Sequence, residues 1–180
     1  MDSLHYIPRP SFWIATTFAI IISIFAVVLS GTAPSDKGIF IQYLSLTLEL
    51  AIISGSCVGL LQSSLMPHLS VWAKVQWIGL TVVSTTIGWC IAFAFGVLIA
   101  KWFPNFPIFS DKIVIAVSIG LLIGTLIGVT IGLVTGIVQS RIQHLLAHEW
   151  LVGNLISWSI GISVPLILFL AILSQATFFF

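Results

Sequence analysis

The sequence predicts an all-α, polytopic transmembrane helix bundle of about five spans, made of two tandem similar helical hairpins preceded by a first helix. Three observations carry this. The 180 residues are 59% hydrophobic and only 6% charged, with mean hydropathy +1.21, whereas a soluble domain carries about 25% charged residues. The apolar residues fall into five long runs, each reaching the ~20 residues that cross a ~30 Å hydrocarbon core at the helical rise. Such runs are too long for barrel strands, and lipid obliges the backbone to satisfy its own polar groups, so helices are the structure left. The chain reads as a single transmembrane domain over 1–180.

The first span is expected at 11–30. It is longer than the apolar core of a cleaved leader and reads as a retained helix. A turn cluster, "GTAPSDKG", closes it. The second is expected at 39–65, ending before "MPHLS", and the third at 75–100, closed by "KWFPNFPIFSDK". The fourth, 113–142, and the fifth, 150–175, exceed the length one span needs and are expected to tilt or project. Pro165 is expected to kink the fifth or break it in two, because proline removes a donor and clashes with the preceding turn.

Charge gives little direction. Six Lys and Arg against five Asp and Glu leave +1, which points to neither nucleic acid nor an anionic surface. Arg9, Lys74 and Arg141 fall on one side of a five-span topology and Lys37, Lys101 and Lys112 on the other, so basic residues set no orientation. Asp36 and Asp111 incline the N-terminus toward the cytoplasm. Cys57 and Cys90 lie inside apolar runs, where cysteine acts as a small hydrophobe.

The second and fourth segments end alike. Gly55, Gly59, Gln62 and Ser63 in "GSCVGLLQS" each stand 77 residues before Gly132, Gly136, Gln139 and Ser140 in "GLVTGIVQS". Trp77, Ser84 and Gly88 each stand 73 before Trp150, Ser157 and Gly161, so the first turn is four residues longer. The repeated unit is a hairpin. Both copies enter from the same side, which predicts a pseudo-twofold along the membrane normal rather than inverted repeats. With Gly55/Gly59/Gln62, Gly132/Gly136/Gln139, Trp77 and Trp150, residues 50 to 165 resemble uncharacterised bacterial, often cyanobacterial, membrane proteins. These repeat a G-x-x-x-G-x-x-Q…W…G hairpin. The resemblance implies a fold and no firm activity, and it departs from the pattern where arginines usually follow the glutamine, since only Arg141 does so here.

The fourth segment carries glycine at every fourth position, Gly120, Gly124, Gly128, Gly132 and Gly136. Together with Gly55, Gly59, Gly88 and Gly161 these are the expected helix-packing residues, because glycine lets backbones approach closely in lipid. A four-residue step turns 400°, so the stripe drifts about 40° per glycine, which one straight neighbour does not cover. Gly132 and Gly136 are therefore expected to pack within the hairpin, and Gly120, Gly124 and Gly128 to offer a surface to a partner helix, lipid or pigment.

Glu49, in "LTLELAI", is the most conspicuous side chain. A carboxylate at mid-membrane costs about 2.5 kcal/mol or more, and protonation removes most of that. Thr125, Thr86 and Ser159 fall at comparable depth and are expected to join it in an ion, proton or polar-ligand site. The bland alternative is a protonated carboxyl bonding helices together. His144 and His148, at i and i+4, are the candidates for a metal or tetrapyrrole, with interfacial histidines as the alternative. Trp13, Trp72, Trp77, Trp102 and Trp150 fall near segment ends, as an aromatic belt does, while Trp89 and Trp158 lie deeper. No glycine run carries the Lys-Ser/Thr of a phosphate cradle, and no Ser-His-Asp or Cys-His set shares a depth.

The expectation is a non-enzymatic integral membrane protein, an accessory or structural subunit packing against other membrane helices in a larger complex. Lipids and other transmembrane subunits, or further copies of the chain, are its expected partners, and nucleic acid is not. The alternative is a small transporter or channel with Glu49 as proton- or cation-coupling residue. The third reading is metal or tetrapyrrole binding through His144 and His148. No cofactor is required, and a pigment or lipid is the class that fits the glycine surface. The resemblance implies a bacterial inner (plasma) membrane or a thylakoid, and only the second is a photosynthetic setting.

Overall fold

The computed structural model describes residues 9–30, 39–102, 113–143 and 147–176. Five helices follow one another: α1 Pro10–Ser30, α2 Ile39–Ser64, α3 Val71–Trp102, α4 Ile113–Gln143 and α5 Ala147–Ala176. No strand occurs among the described residues. Each helix holds a stretch long and apolar enough to cross a membrane: Pro10–Val28, Leu44–Ser64, Val71–Phe95, Gly120–Arg141 and His148–Ile172. The chain is an all-α integral membrane protein.

Local chemistry sets the helix ends. Pro10 opens α1, where its missing N–H leaves nothing unpaired, and the Phe12 amide donates to the Arg9 carbonyl at 2.9 Å. Ser70 caps α3, its Oγ accepting from the Ala73 amide at 3.3 Å. Pro67 follows the end of α2, where it cannot continue the helix. Pro165 does not divide the last span. α5 runs through it to Ala176 as one helix, because hydrocarbon offers the flanking backbone no better state than the helix.

The helices close into a ring. α1 packs on α2 and α5, α3 on α2 and α4, and α4 on α5 most extensively. The two hairpins, α2–α3 and α4–α5, repeat the same contact. A Cβ on Gly55 or Gly59 would meet the Cα of Val82 or Ile78 at 2.9 and 3.1 Å; one on Gly132 or Gly136 would meet the Cα of Leu155 or Leu151 at 2.9 and 3.2 Å. Leu155 and Leu151 are Val82 and Ile78 displaced by the same 73 residues that relate the tryptophans. The sequence repeat is therefore a repeat of contacts.

α1 breaks the symmetry. α3 touches α4, and the symmetric contact would join α5 to α2. Instead α1 stands between them. Gly88 on α3 receives Ile131 of α4, while its repeat mate Gly161 on α5 receives Ile20 of α1. Gly153, a residue the repeat does not mark, receives the indole of Trp13. Ile20, Ile131, Val58, Ala51, Trp89 and Trp158 meet in the ring's centre and fill it.

The expected division of the α4 glycines does not hold. All five face α5: Gly120 meets Ile167, Gly124 Ser163, Gly128 Ser159, Gly132 Leu155 and Gly136 Leu151. Four residues forward on α4 match four residues back on α5. The drift that a straight neighbour could not follow is followed because α5 offers a four-residue row of its own. A shared four-residue step keeps the two rows in contact along the pair. The contact runs from Gly120 to Gly136, about 24 Å at the helical rise. Gly120, Gly124 and Gly128 are thus internal packing residues and leave no surface for a partner.

This packing makes a specific prediction. Gly128→Ala places a methyl against the backbone of Ser159, which cannot yield as a side-chain tip would. It is expected to cost about 1–3 kcal/mol, as overpacking does. Gly79, which has nothing within 4 Å of an added Cβ, should accept alanine without loss. Thermal denaturation of both variants in detergent compares them.

Candidate functional site

The N-termini of α1, α3 and α5 and the C-termini of α2 and α4 lie at the same end of the bundle, as the repeat requires. Here stand the buried amide side chains of the described residues, Gln62, Gln139 and Asn154. Gln62 and Gln139 are both fully buried, two and four residues before their helices end. Gln139 donates from Nε2 to Oε1 of Gln62 at 2.9 Å and to Oγ1 of Thr81 at 2.9 Å. Its Oε1 accepts from Trp150 Nε1 at 2.8 Å and from Asn154 Nδ2 at 3.1 Å. All four hydrogen-bonding positions of this amide are filled. Gln62 accepts from Trp77 Nε1 at 3.3 Å, and its Nε2 lies 3.5 Å from Thr16 Oγ1, at the outer limit of a bond.

The layer follows the repeat. Each glutamine takes the indole N–H of the tryptophan in its own hairpin. Thr81 and Asn154 are repeat mates and both serve Gln139, Thr81 from α3 across the α3–α4 contact and Asn154 from α5. Both also bond back one turn, Thr81 Oγ1 to the Trp77 carbonyl at 2.8 Å and Asn154 Nδ2 to the Trp150 carbonyl at 3.0 Å. Around Gln62, the position that symmetry would give to α5 is taken by Thr16 of α1. Ser157 ties α5 to α1 in the same region, its Oγ donating to the Trp13 carbonyl at 3.3 Å.

An aromatic cap closes this end. Trp77 and Trp150 meet edge-to-face with centroids 5.4 Å apart, and Phe12 and Trp13 stand 5.4 and 5.1 Å from Trp150. Met66, from the four residues by which the first turn is longer, joins Phe12, Trp77 and Trp150 in one buried cluster. Trp77 and Trp150 are each 1% exposed, so they are not part of a lipid-facing belt. Trp72 is exposed as a belt residue is.

No family model, curated protein or solved structure matches this chain.

The residues expected to surround Glu49 do not gather around it. Thr125 pairs with Ser163 between α4 and α5, Oγ to Oγ 3.3 Å. Thr86 donates to the Val82 carbonyl of its own helix at 2.8 Å, and Ser159 lies against Gly128. Glu49 itself is half-buried and accepts a bond from Ser45, one turn away on α2, at 3.3 Å. It stands two residues from Thr47 and two from Ala51, both buried. At 100° per residue it is opposite both, on the outward side with Leu48, Ile52 and Ile53. It lies five residues inside the Leu44 end of the apolar stretch of α2, about 7.5 Å along the helix. His144 is outside the described residues, and His148 is exposed. Among the described residues no three His, Cys, Asp or Glu side chains come near enough together to hold a metal.

In the sequence Gln62 and Gln139 mark the repeat, and nothing there shows that the two amides meet. What it does show is that the same amide and the same indole recur at both copies of the hairpin, an acceptor and a donor at matched positions. In chemical terms the layer is neutral and almost fully paired, which suits a lock between helices rather than a site that exchanges ligands.

The pairing predicts unequal costs for the two indole donors. Trp150→Phe removes a 2.8 Å bond and part of the cap, and Trp77→Phe removes one of 3.3 Å. Each should destabilise the protein by about 1–3 kcal/mol, with Trp150→Phe the more damaging. Denaturation midpoints of the two purified variants give the order.

Proposed function

We propose that this protein is a non-enzymatic membrane subunit that packs laterally against other transmembrane helices in a larger assembly. Glu49 carries the reading. It sits on the outer face of α2, inside the span, among Leu48, Ile52 and Ile53, and its hydrogen bond comes from Ser45 of the same helix. An acidic group facing hydrocarbon is costly, and a donor from a neighbouring subunit relieves that cost. The polar groups of the glutamine layer are spent on one another, which also supports a structural part.

A transport reading would need Glu49 on a path through the ring, and its position opposite Thr47 and Ala51 argues for a lateral contact instead. The partner fitting this face is a transmembrane helix with a hydrogen-bond donor or a cation at the level of Glu49. The sequence resemblance implies a bacterial plasma membrane or a thylakoid as the setting.

Purification in mild detergent with mass spectrometry of bound proteins tests this. A defined membrane partner should accompany the native chain and fall at least about tenfold with Glu49→Leu, on the logic that burying an unpaired partner group costs 1.4 kcal/mol or more. A lone, monodisperse chain would count against the subunit reading. Retention of the partner by the variant would remove Glu49 from the contact.

A further inference from the structure

The outward face of α2 is not patterned as a lipid-facing surface. Gly55 and Gly59 turn to α3, and Thr47, Ala51, Ser54 and Val58 are buried in the bundle. At 100° per residue the opposite side is held by Leu46, Glu49, Ile53, Ser56 and Leu60, which fall within an arc of about 80°. None of the five is buried, and Ile53 and Leu60 are exposed. Their spacing alternates three and four residues, which is how one helix presents a continuous seam to another. The outward rows of α1 and α5 differ. Ile14, Phe18 and Ile22 on α1 and Ile156, Ile160 and Val164 on α5 step by four and are apolar throughout, which is all that lipid asks.

The polar residues of the seam narrow the choice of partner. Lipid gives apolar helices no hydrophobic reason to associate, and polar side chains in the contact supply one. α2 contains no lysine, arginine or histidine. Its seam offers a carboxyl and a hydroxyl. A carboxyl carrying its proton, like a hydroxyl, both donates and accepts. Ser45 reaches Oε1 of Glu49, and Oε2 remains for a second partner. Groups of this kind are complementary to themselves. A cation on another protein would answer Glu49 only by keeping an ion pair in hydrocarbon, whose desolvation is expensive; a second copy answers it with neutral groups.

We propose that the partner of this face is a second copy of the chain, α2 against α2 in a parallel pair with Glu49 facing Glu49. This names the partner within the subunit reading above and rests on it. Copies inserted alike share one orientation, so the twofold axis lies along the membrane normal and equal residues meet at equal depth. At that axis the O–H of each Glu49 donates to a carboxyl oxygen of the other, and neither bears the cost of a charge in hydrocarbon. Ser56, seven residues on, meets its own copy in the same way.

The test uses the full-length protein. Native mass measurement in mild detergent should give twice the mass of the chain. Glu49→Gln keeps a donor and an acceptor and should hold the dimer within about threefold of its native affinity, whereas Glu49→Leu should weaken it at least about tenfold. A cation on a partner would be lost to both variants alike. In native membranes, with the free cysteines Cys57 and Cys90 replaced by alanine, Ile53→Cys and Leu60→Cys should each oxidise to a disulfide-linked dimer. Ile87→Cys and Ile160→Cys, at exposed positions on α3 and α5, should not. The cross-linking retains Glu49 and so stands even if a variant at that position fails to fold. A complex holding one copy of this chain with a different protein would overturn the inference and leave the subunit reading standing. A monomer in both membranes and detergent would overturn both. Dimers linked through Ile87→Cys or Ile160→Cys rather than through the α2 seam, or a dimer that Glu49→Gln dissolves as completely as Glu49→Leu, would overturn the inference alone.

Discussion

Two primary amides meet inside an apolar bundle, Gln139 Nε2 against Gln62 Oε1 at 2.9 Å. The bond joins α2 to α4, two helices that do not pack directly, and so spans the two hairpins. An amide in this position is expensive unless every donor and acceptor is met. The surrounding residues follow from that demand. Trp77, Trp150, Thr81 and Asn154 supply the partners, Thr16 brings α1 to the same layer, and Phe12, Trp13 and Met66 keep the layer from lipid and water. The interaction is directional, so it fixes register where dispersion between apolar helices alone would permit sliding.

Glycine and amide divide the work. Between α4 and α5, and more briefly between α2 and α3, glycines bring backbones into contact along four-residue rows. These contacts set how close the helices of a hairpin lie. They do not fix one hairpin relative to the other. The amide layer does, and α1 completes it by taking the position that symmetry would give to an α5–α2 contact. One hairpin sequence, used twice, thus gives an asymmetric ring of five. On the outward face of α2, Glu49 is the one acidic side chain well inside an apolar stretch of the described helices.

Much of this was legible in the sequence. Length and hydropathy dictate the five helices, because lipid permits little else. The repeat is written in Gly, Gln and Trp at constant offsets, and its contacts match. What the sequence hid were relations between helices. A glycine stripe drifting 40° per step cannot be read without knowing that Leu151, Leu155, Ser159, Ser163 and Ile167 drift with it. Glu49 is conspicuous by type, yet which side of α2 it takes depends on Thr47 and Ala51 being core residues. Trp77 and Trp150 stand near helix ends, where tryptophan ordinarily meets the interface; only the facing glutamines turn them inward.

The central claim is that Gln62 and Gln139 act as one unit. A double-mutant cycle with Gln62→Met and Gln139→Met, read as unfolding free energies of the full-length protein in detergent, tests it most directly. Methionine keeps the length of the side chain and removes its hydrogen bonds. A coupling energy of about 1 kcal/mol or more is expected, since the second substitution removes a bond already broken by the first. Costs that add to within about 0.5 kcal/mol would contradict it, and would mean that the two hairpins are held together by packing alone.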